Sequence, residues 1–291
     1  MASLQDLKTR IKSVKSTQKI TAAMKMVAAA KLRRAQESAE AGRPYATRMG
    51  QVISSLAANA NKESAPALLV GNGKDQTHLL IVMSADRGLC GGFNGSITRA
   101  TRNEVARLRA ENKTVKLFMV GRKSADALRR EFGDIYIESL EGIQGTSVSY
   151  GDADSIGQTI RDGFEAGEFD VCSIIYNKFK SVIAQEVTQT QLIPAQIDVT
   201  DDSDALSVSY EYEPEEEELL NALLPRGIST LIYSSLLESS ASELAARMTA
   251  MDNATRNAGD LIDRLTLIYN RTRQATITKE LIEIISGAEA V

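Results

Sequence analysis

Between Ile228 and Ser286 the chain has no proline and a single glycine, Gly259, and between Ser3 and Ala41 it has neither. Both runs are rich in Ala, Leu, Met, Lys, Arg, Gln and Glu, the better helix formers. A helix over 228–286 extends for roughly 90 Å at 1.5 Å per residue. That exceeds the diameter of an ordinary domain of 291 residues. The two ends therefore predict long projecting helices, and the function is expected to lie there.

The N-terminal run carries a stripe of Leu4, Leu7, Ile11 and Val14, continued by Gln18, Thr21, Lys25, Ala28, Leu32 and Ala35. Alternating steps of three and four make a heptad seam. It starts with large apolar residues and turns small or polar, unlike a simple zipper. Gly42, Pro44 and Gly50 are expected to kink or loosen this helix, which resumes through Val52 and Leu56. Residues 57–75 read as a linker. The C-terminal run has Leu237, Leu244, Met248 and Met251, then Leu261, Leu265, Ile268, Thr272 and Ala275, with a change of phase around 254–258. Its last turns, with Leu281, Ile282, Ile284 and Ile285, are more apolar than a solvated terminus favours, which suggests a partner that encloses them.

The middle differs in kind. Short β-type runs at 78–83, 115–120, 135–137, 170–176 and 182–188 alternate with helical stretches at 96–110, 122–131 and 154–165. That alternation predicts a small α/β domain with a mostly parallel sheet. The expected layout is an N-terminal shaft helix over 1–58, an α/β (Rossmann-like) domain over 75–200, an acidic connecting segment over 201–227 and a C-terminal shaft helix over 228–291. The fold class is α/β, a long antiparallel coiled coil of terminal helices with an inserted domain. Periodicity permits the two ends to pair without establishing that they do.

Composition removes most catalytic readings. The one histidine, His78, opens an apolar strand, where a structural role is the ordinary reading, and a histidine-rich metal site is excluded. Cys90 and Cys172 form no CxxC motif and read as buried thiols, although Cys90 would become a nucleophile if its pKa were lowered. The segment Gly88–Gly95 stands between strand and helix, where phosphates bind in nucleotide folds, yet it is neither GxGxxG nor a P-loop. Its glycines read as a tight turn or a close contact. No catalytic residue, cofactor or metal is expected.

The net charge of −4 hides segregation. Residues 1–60 hold eleven Lys and Arg against three Asp and Glu, whereas 198–218 holds ten acidic residues and no base. A basic arm for nucleic acid is the rival reading, but aromatic interleaving and a reader motif are missing. Neither a signal peptide, a transit peptide nor a membrane span is evident in the sequence, so a cytoplasmic protein is the default expectation.

Three stretches carry a family resemblance. They are IKSVKSTQKITAAMKMVAAAKLRRAQ at Ile11–Gln36, SADRGLCGGFN at Ser84–Asn94, and ARMTAMDNATRNAGDLI with LIYNRTRQATITKELIEIISGAEA between Ala246 and Ala290. Together they resemble the gamma subunit of F-type ATP synthase, of the bacterial type, along the whole chain. The resemblance implies a non-catalytic rotor that couples proton-driven turning of a c-ring to the nucleotide sites of an alternating alpha/beta hexamer. It implies one copy per complex, an epsilon subunit as a further partner, room for an inhibitor subunit, and no nucleic acid. The location it implies is peripheral, at the cytoplasmic face of the bacterial inner membrane. Residue by residue, Arg273, Gln274 and Thr278 match the contact with a catch loop of beta. Met24 and Lys25 match the contact with its acidic lever, although Met24 by spacing alone reads equally well as core. Tyr210, Tyr212 and Glu213 match the foot on the c-ring. Leu281, Ile282, Ile284 and Ile285 match an apolar bearing tip.

Overall fold

A computed structural model of the chain describes residues 3–59, 65–143, 148–195 and 216–289. By internal packing the chain forms two units, one of residues 1–29 with 247–291 and one of residues 30–246. Two helices run through both: α1, Leu4–Asn59, and the last helix, Glu216–Glu289.

Helix α1 starts where Ser3 and Asp6 exchange side-chain-to-backbone hydrogen bonds, each at 3.1 Å. That reciprocal cap satisfies two N–H groups that the first turn leaves without partners. The expected interruption at Gly42, Pro44 and Gly50 does not occur, because the helix carries Pro44 inside it. A proline removes one backbone bond, and here packing outweighs the loss. Gly42 approaches Leu237, and a Cβ on Gly227 would stand 2.5 Å from Ile53 Cδ1. The C-terminal helix likewise begins at Glu216, ahead of the expected Ile228, and runs through Pro225-Arg226-Gly227. Leu220 and Leu224 there are buried with Leu56 of α1 and with Leu69 of a short helix, α2, Ala67–Val70. This burial, about 1.5–3 kcal/mol for each such side chain, outweighs the proline. Residues 201–215 of the expected acidic connection lie outside the described residues.

The larger unit contains strands β1 Thr77–Met83, β2 Thr114–Val120, β3 Tyr136–Leu140, β4 Val171–Ser181 and β5 Ala184–Ile193. Helices α3 Phe93–Ala110, α4 Arg122–Phe132 and α5 Tyr150–Glu165 link them, which makes the C-terminal helix α6. Sheet order is β3-β2-β1-β4-β5. β1, β2, β3 and β4 are parallel to their neighbours, and β5 closes as an antiparallel hairpin on β4. The central strands are apolar at nearly every position because both faces are covered. Leu79, Ile81, Phe118 and Ile174 face α5 and the 228–236 stretch of α6, whereas Leu80, Val82, Leu117 and Ile175 face α3 and α4.

The chain leaves β2 through Gly121, whose φ is +95°. A Cβ there would lie 1.8 Å from the Ser84 carbonyl oxygen. Only glycine permits both the backbone angle and the approach. Gly121→Ala is expected to lower stability by about 2–4 kcal/mol, read as a shift in the urea midpoint of the purified chain.

Candidate functional site

In the smaller unit the two helices run antiparallel. Lys25 Nζ donates to Asp252 Oδ1 at 2.6 Å, Thr255 Oγ1 donates to Thr21 Oγ1 at 2.8 Å, and Gly259 packs on Gln18. Every position of the N-terminal stripe from Leu4 to Ala35 is buried or half-buried. On α6 the seam follows Met248, Met251, Thr255, Ala258, Ile262, Leu265, Tyr269, Thr272 and Thr276, each buried or half-buried. The steps of three and four never change phase. The apparent shift around 254–258 is corrected on this point: Thr255 and Ala258 hold the register, and Leu261, Ile268 and Ala275, read as seam residues, are exposed. Gly259 fits the same geometry, since a Cβ there would stand 3.2 Å from Gln18 Nε2.

The smaller unit thus departs from the usual partition. Small and polar side chains fill much of its seam, whereas Ile20, Met26 and Val27 of α1 and Leu261, Leu267, Ile268 and Ile277 of α6 are exposed. Met26 is 67% accessible. Scattered exposed apolar residues are normal on a protein surface; a succession of large ones along one helix pair marks an interaction surface.

The expected site residues fall into three groups. Arg273, Gln274 and Thr278 are all exposed on α6, and Thr278 Oγ1 returns to the Gln274 carbonyl at 2.9 Å. Their side chains therefore face outward, one turn apart. Leu281, Ile282, Ile284 and Ile285 are all more than half exposed. The second group is Met24 and Lys25. Met24 is half-buried, so it is part seam and part surface. Lys25 is tied to Asp252, which Arg256 Nη2 also reaches at 2.9 Å. The exposed apolar neighbours of this pair, Met26 and Val27, were not singled out by sequence; the outward phase of the heptad would have found them. Tyr210, Tyr212 and Glu213 lie outside the described residues.

The glycine-rich segment sits beside the point where strand order reverses, between β1 and β4, where open α/β sheets bind ligands. Here the chain itself fills the place. Ala85, Cys90 and Phe93 are buried against Ala246 of α6. The N–H groups opening α4 are used internally: Arg122 donates to Asp86 Oδ1, Lys123 to the Ala85 carbonyl and Ser124 to Ser84 Oγ. Gly91, at φ +57°, supplies the tight turn. Cys90 and Cys172 are both buried, away from the exposed setting of reactive thiols; Asn94 Nδ2 donates to the Cys90 sulfur, and burial pushes the Cys172 thiol pKa up. His78 pairs with Asp75 at 2.7 Å, and Lys113 reaches the same carboxylate. Among the described residues no His, Cys, Asp and Glu group is placed to hold a metal ion, and no helix is long and apolar enough to cross a membrane.

A family model described as ATP synthase matches residues 3–291. The ATP synthase gamma chain of Rhizobium etli is 58% identical over 294 residues, and that of Rhodospirillum rubrum 56% over 299, each covering all of both chains. Among solved structures, a chain of the Tetrahymena thermophila mitochondrial ATP synthase central stalk and c-ring is 31% identical, with a TM-score of 0.60. The match covers 81% of this chain and 99% of that one. A chain of the Euglena gracilis mitochondrial enzyme, 19% identical with a TM-score of 0.67 over 99% and 94% of the two chains, shares the fold. Fold and surface together define a subunit of the central stalk of a rotary ATP synthase. The chain belongs to the ATP synthase gamma chain family, the non-catalytic rotor subunit of that complex.

The hydrogen bond from Lys25, helped by Arg256, holds the Asp252 carboxyl below the usual carboxylate range. A depressed folded-state pKa stabilises above the unfolded value and loses that contribution as pH falls through the folded one. The pairing at Asp252 is therefore intact at neutral pH and lost only as pH falls below the ordinary carboxylate range, through the depressed folded-state pKa. Asp252→Asn is expected to narrow the difference in thermal midpoint between pH 7 and pH 3, measured by circular dichroism.

Proposed function

We propose that this chain turns inside a hexamer of alternating alpha and beta subunits and alters their nucleotide sites through unequal surface contacts. The observation that carries this reading is the run of exposed large apolar side chains along the outside of the helix pair. A shaft that must rotate within a collar needs a seam that holds and an outer surface that slides. Large aliphatic side chains give non-directional contacts that are remade at every angle, and Met26 adds an adaptable thioether. An asymmetric shaft favours a different set of open and closed sites at each angle. It shifts nucleotide affinity only by the difference between its contact free energies.

Within this reading Arg273 gives a carboxylate of the beta catch loop a fork of donors, and Gln274 and Thr278 add neutral hydrogen bonds. Met24 and Lys25 meet the acidic lever of beta, where Lys25 exchanges or shares Asp252 with the partner carboxylates. Leu281, Ile282, Ile284 and Ile285 turn in an apolar bearing. Tyr210, Tyr212 and Glu213 form the foot on the polar loops of the c-ring, beside an epsilon subunit, and an inhibitor subunit is an additional partner. The complex lies at the cytoplasmic face of a bacterial inner membrane, which this chain touches only through the c-ring.

A tagged copy is expected to bring down alpha and beta subunits in molar excess over itself; recovery of the chain alone would overturn the assignment. Arg273→Ala removes a charge-assisted contact of about 1.5 kcal/mol and is expected to lower ATP hydrolysis by the assembled complex several-fold. Unchanged hydrolysis would show that the catch contact lies elsewhere. Removal of residues from Ile282 onward is expected to weaken proton-driven ATP synthesis while the α/β domain keeps its unfolding transition.

A further inference from the structure

Strand β4 outruns its parallel partner. β1 pairs with β4 as far as Ile175, and β4 continues to Ser181 with β5 on one side only. The two helices stand on the other side. Glu238 of α6 is buried, its side chain 6% exposed, within the serine-rich stretch of that helix. A buried carboxylate is costly unless both oxygens are engaged. Here Oε1 accepts from Arg43 Nε of α1 at 2.8 Å and Oε2 accepts from the Phe179 N–H of β4 at 2.9 Å. Arg43 Nη2 closes the ring by donating to the Phe179 carbonyl at 3.3 Å. One turn further along α6, Ser242 Oγ donates to the Asn177 carbonyl at 2.9 Å, and Asn177 Nδ2 donates to the Phe93 carbonyl at 3.4 Å. The arrangement holds the Arg43 guanidinium above its ordinary pKa, mainly through the Glu238 bond.

Beyond the Ser242 bond and a side-chain hydrogen bond between Ser235 and Tyr176, α6 is attached to the sheet here by apolar contacts, through Ile228, Ile232 and Leu236. Such contacts oppose separation but have no direction, so they do little against one surface slipping over another. The ring of Arg43, Glu238 and the Phe179 peptide is directional and joins three elements at one point. We propose that this ring is the clasp through which turning force passes between the α/β domain and both helices. Arg43 and Glu238 are then positioning residues for rotary coupling. The proposal rests on the rotor reading above.

The test uses the assembled complex with a bead attached to the α/β domain through Ser139→Cys, at an exposed position of β3. If the wild-type bead does not turn during ATP hydrolysis, the rotor reading itself fails. If it turns, the shaft is locked to the hexamer by an introduced disulfide and the angular fluctuation of the bead gives the torsional stiffness. Glu238→Gln leaves one oxygen to serve two donors, and Arg43→Met removes both donors. With only the apolar face and the Ser242 bond left to resist slip, stiffness is expected to fall about twofold or more in each variant. It should stay at the wild-type value in Arg102→Ala, which breaks an exposed pair with Glu131 between α3 and α4. Arg43→Lys keeps a charge beside Glu238 but lacks the fork, and serves if either variant fails to assemble. Wild-type stiffness in the clasp variants, even with a lowered thermal midpoint, would overturn the proposal and leave the ring as a packing feature.

Discussion

Everything in this molecule depends on a seam between two helices taken from opposite ends of the chain. The segments that meet are separated by more than the entire α/β domain, so closing them costs loop entropy that grows slowly with length. Long uninterrupted helices offset that cost by repeating one small contact many times. The seam is antiparallel in both units, with Lys25 opposite Asp252 in one and Arg43 opposite Glu238 in the other. In the smaller unit small residues such as Ala28 and Ala258 sit in its buried positions. Where the seam is narrow, large side chains such as Met26 and Ile268 are left on the outer surface.

The α/β domain uses the opposite strategy. Its sheet buries both faces under the apolar sides of helices, and the crevice beside the strand-order reversal is filled by Cys90 and Phe93 against Ala246. A fold that elsewhere hosts nucleotides is here turned into a mount. Fold does not dictate function, and the difference lies in who occupies the donors at the N-terminus of α4. In this chain Asp86, the Ala85 carbonyl and Ser84 occupy them.

The helical ends and the order of strands and helices were legible in the sequence because each is a local pattern. Gln274 and Thr278 share a helix face by their spacing of four, with Arg273 beside them. Three features were not legible, each for a physical reason. Pro44 and Pro225 suggested breaks, since the lost hydrogen bond is local and the packing that outweighs it is not. Leu261 and Ile268 suggested seam positions, because apolarity signals burial only when no partner protein is expected on the surface. Glu238 carries no local mark in the sequence, and only the meeting of α1, α6 and β4 reveals it as a buried hub.

The sequence by itself determined that two long helices flank a mostly parallel sheet, since propensity and period act over a few residues and need no knowledge of neighbours. Tertiary structure decided which face of each helix turns inward, why glycine stands at 121 and 227, and where sheet and helices are bolted together. Those outcomes depend on contacts between residues as far apart as Arg43 and Glu238, whose geometry exists only after the chain has folded.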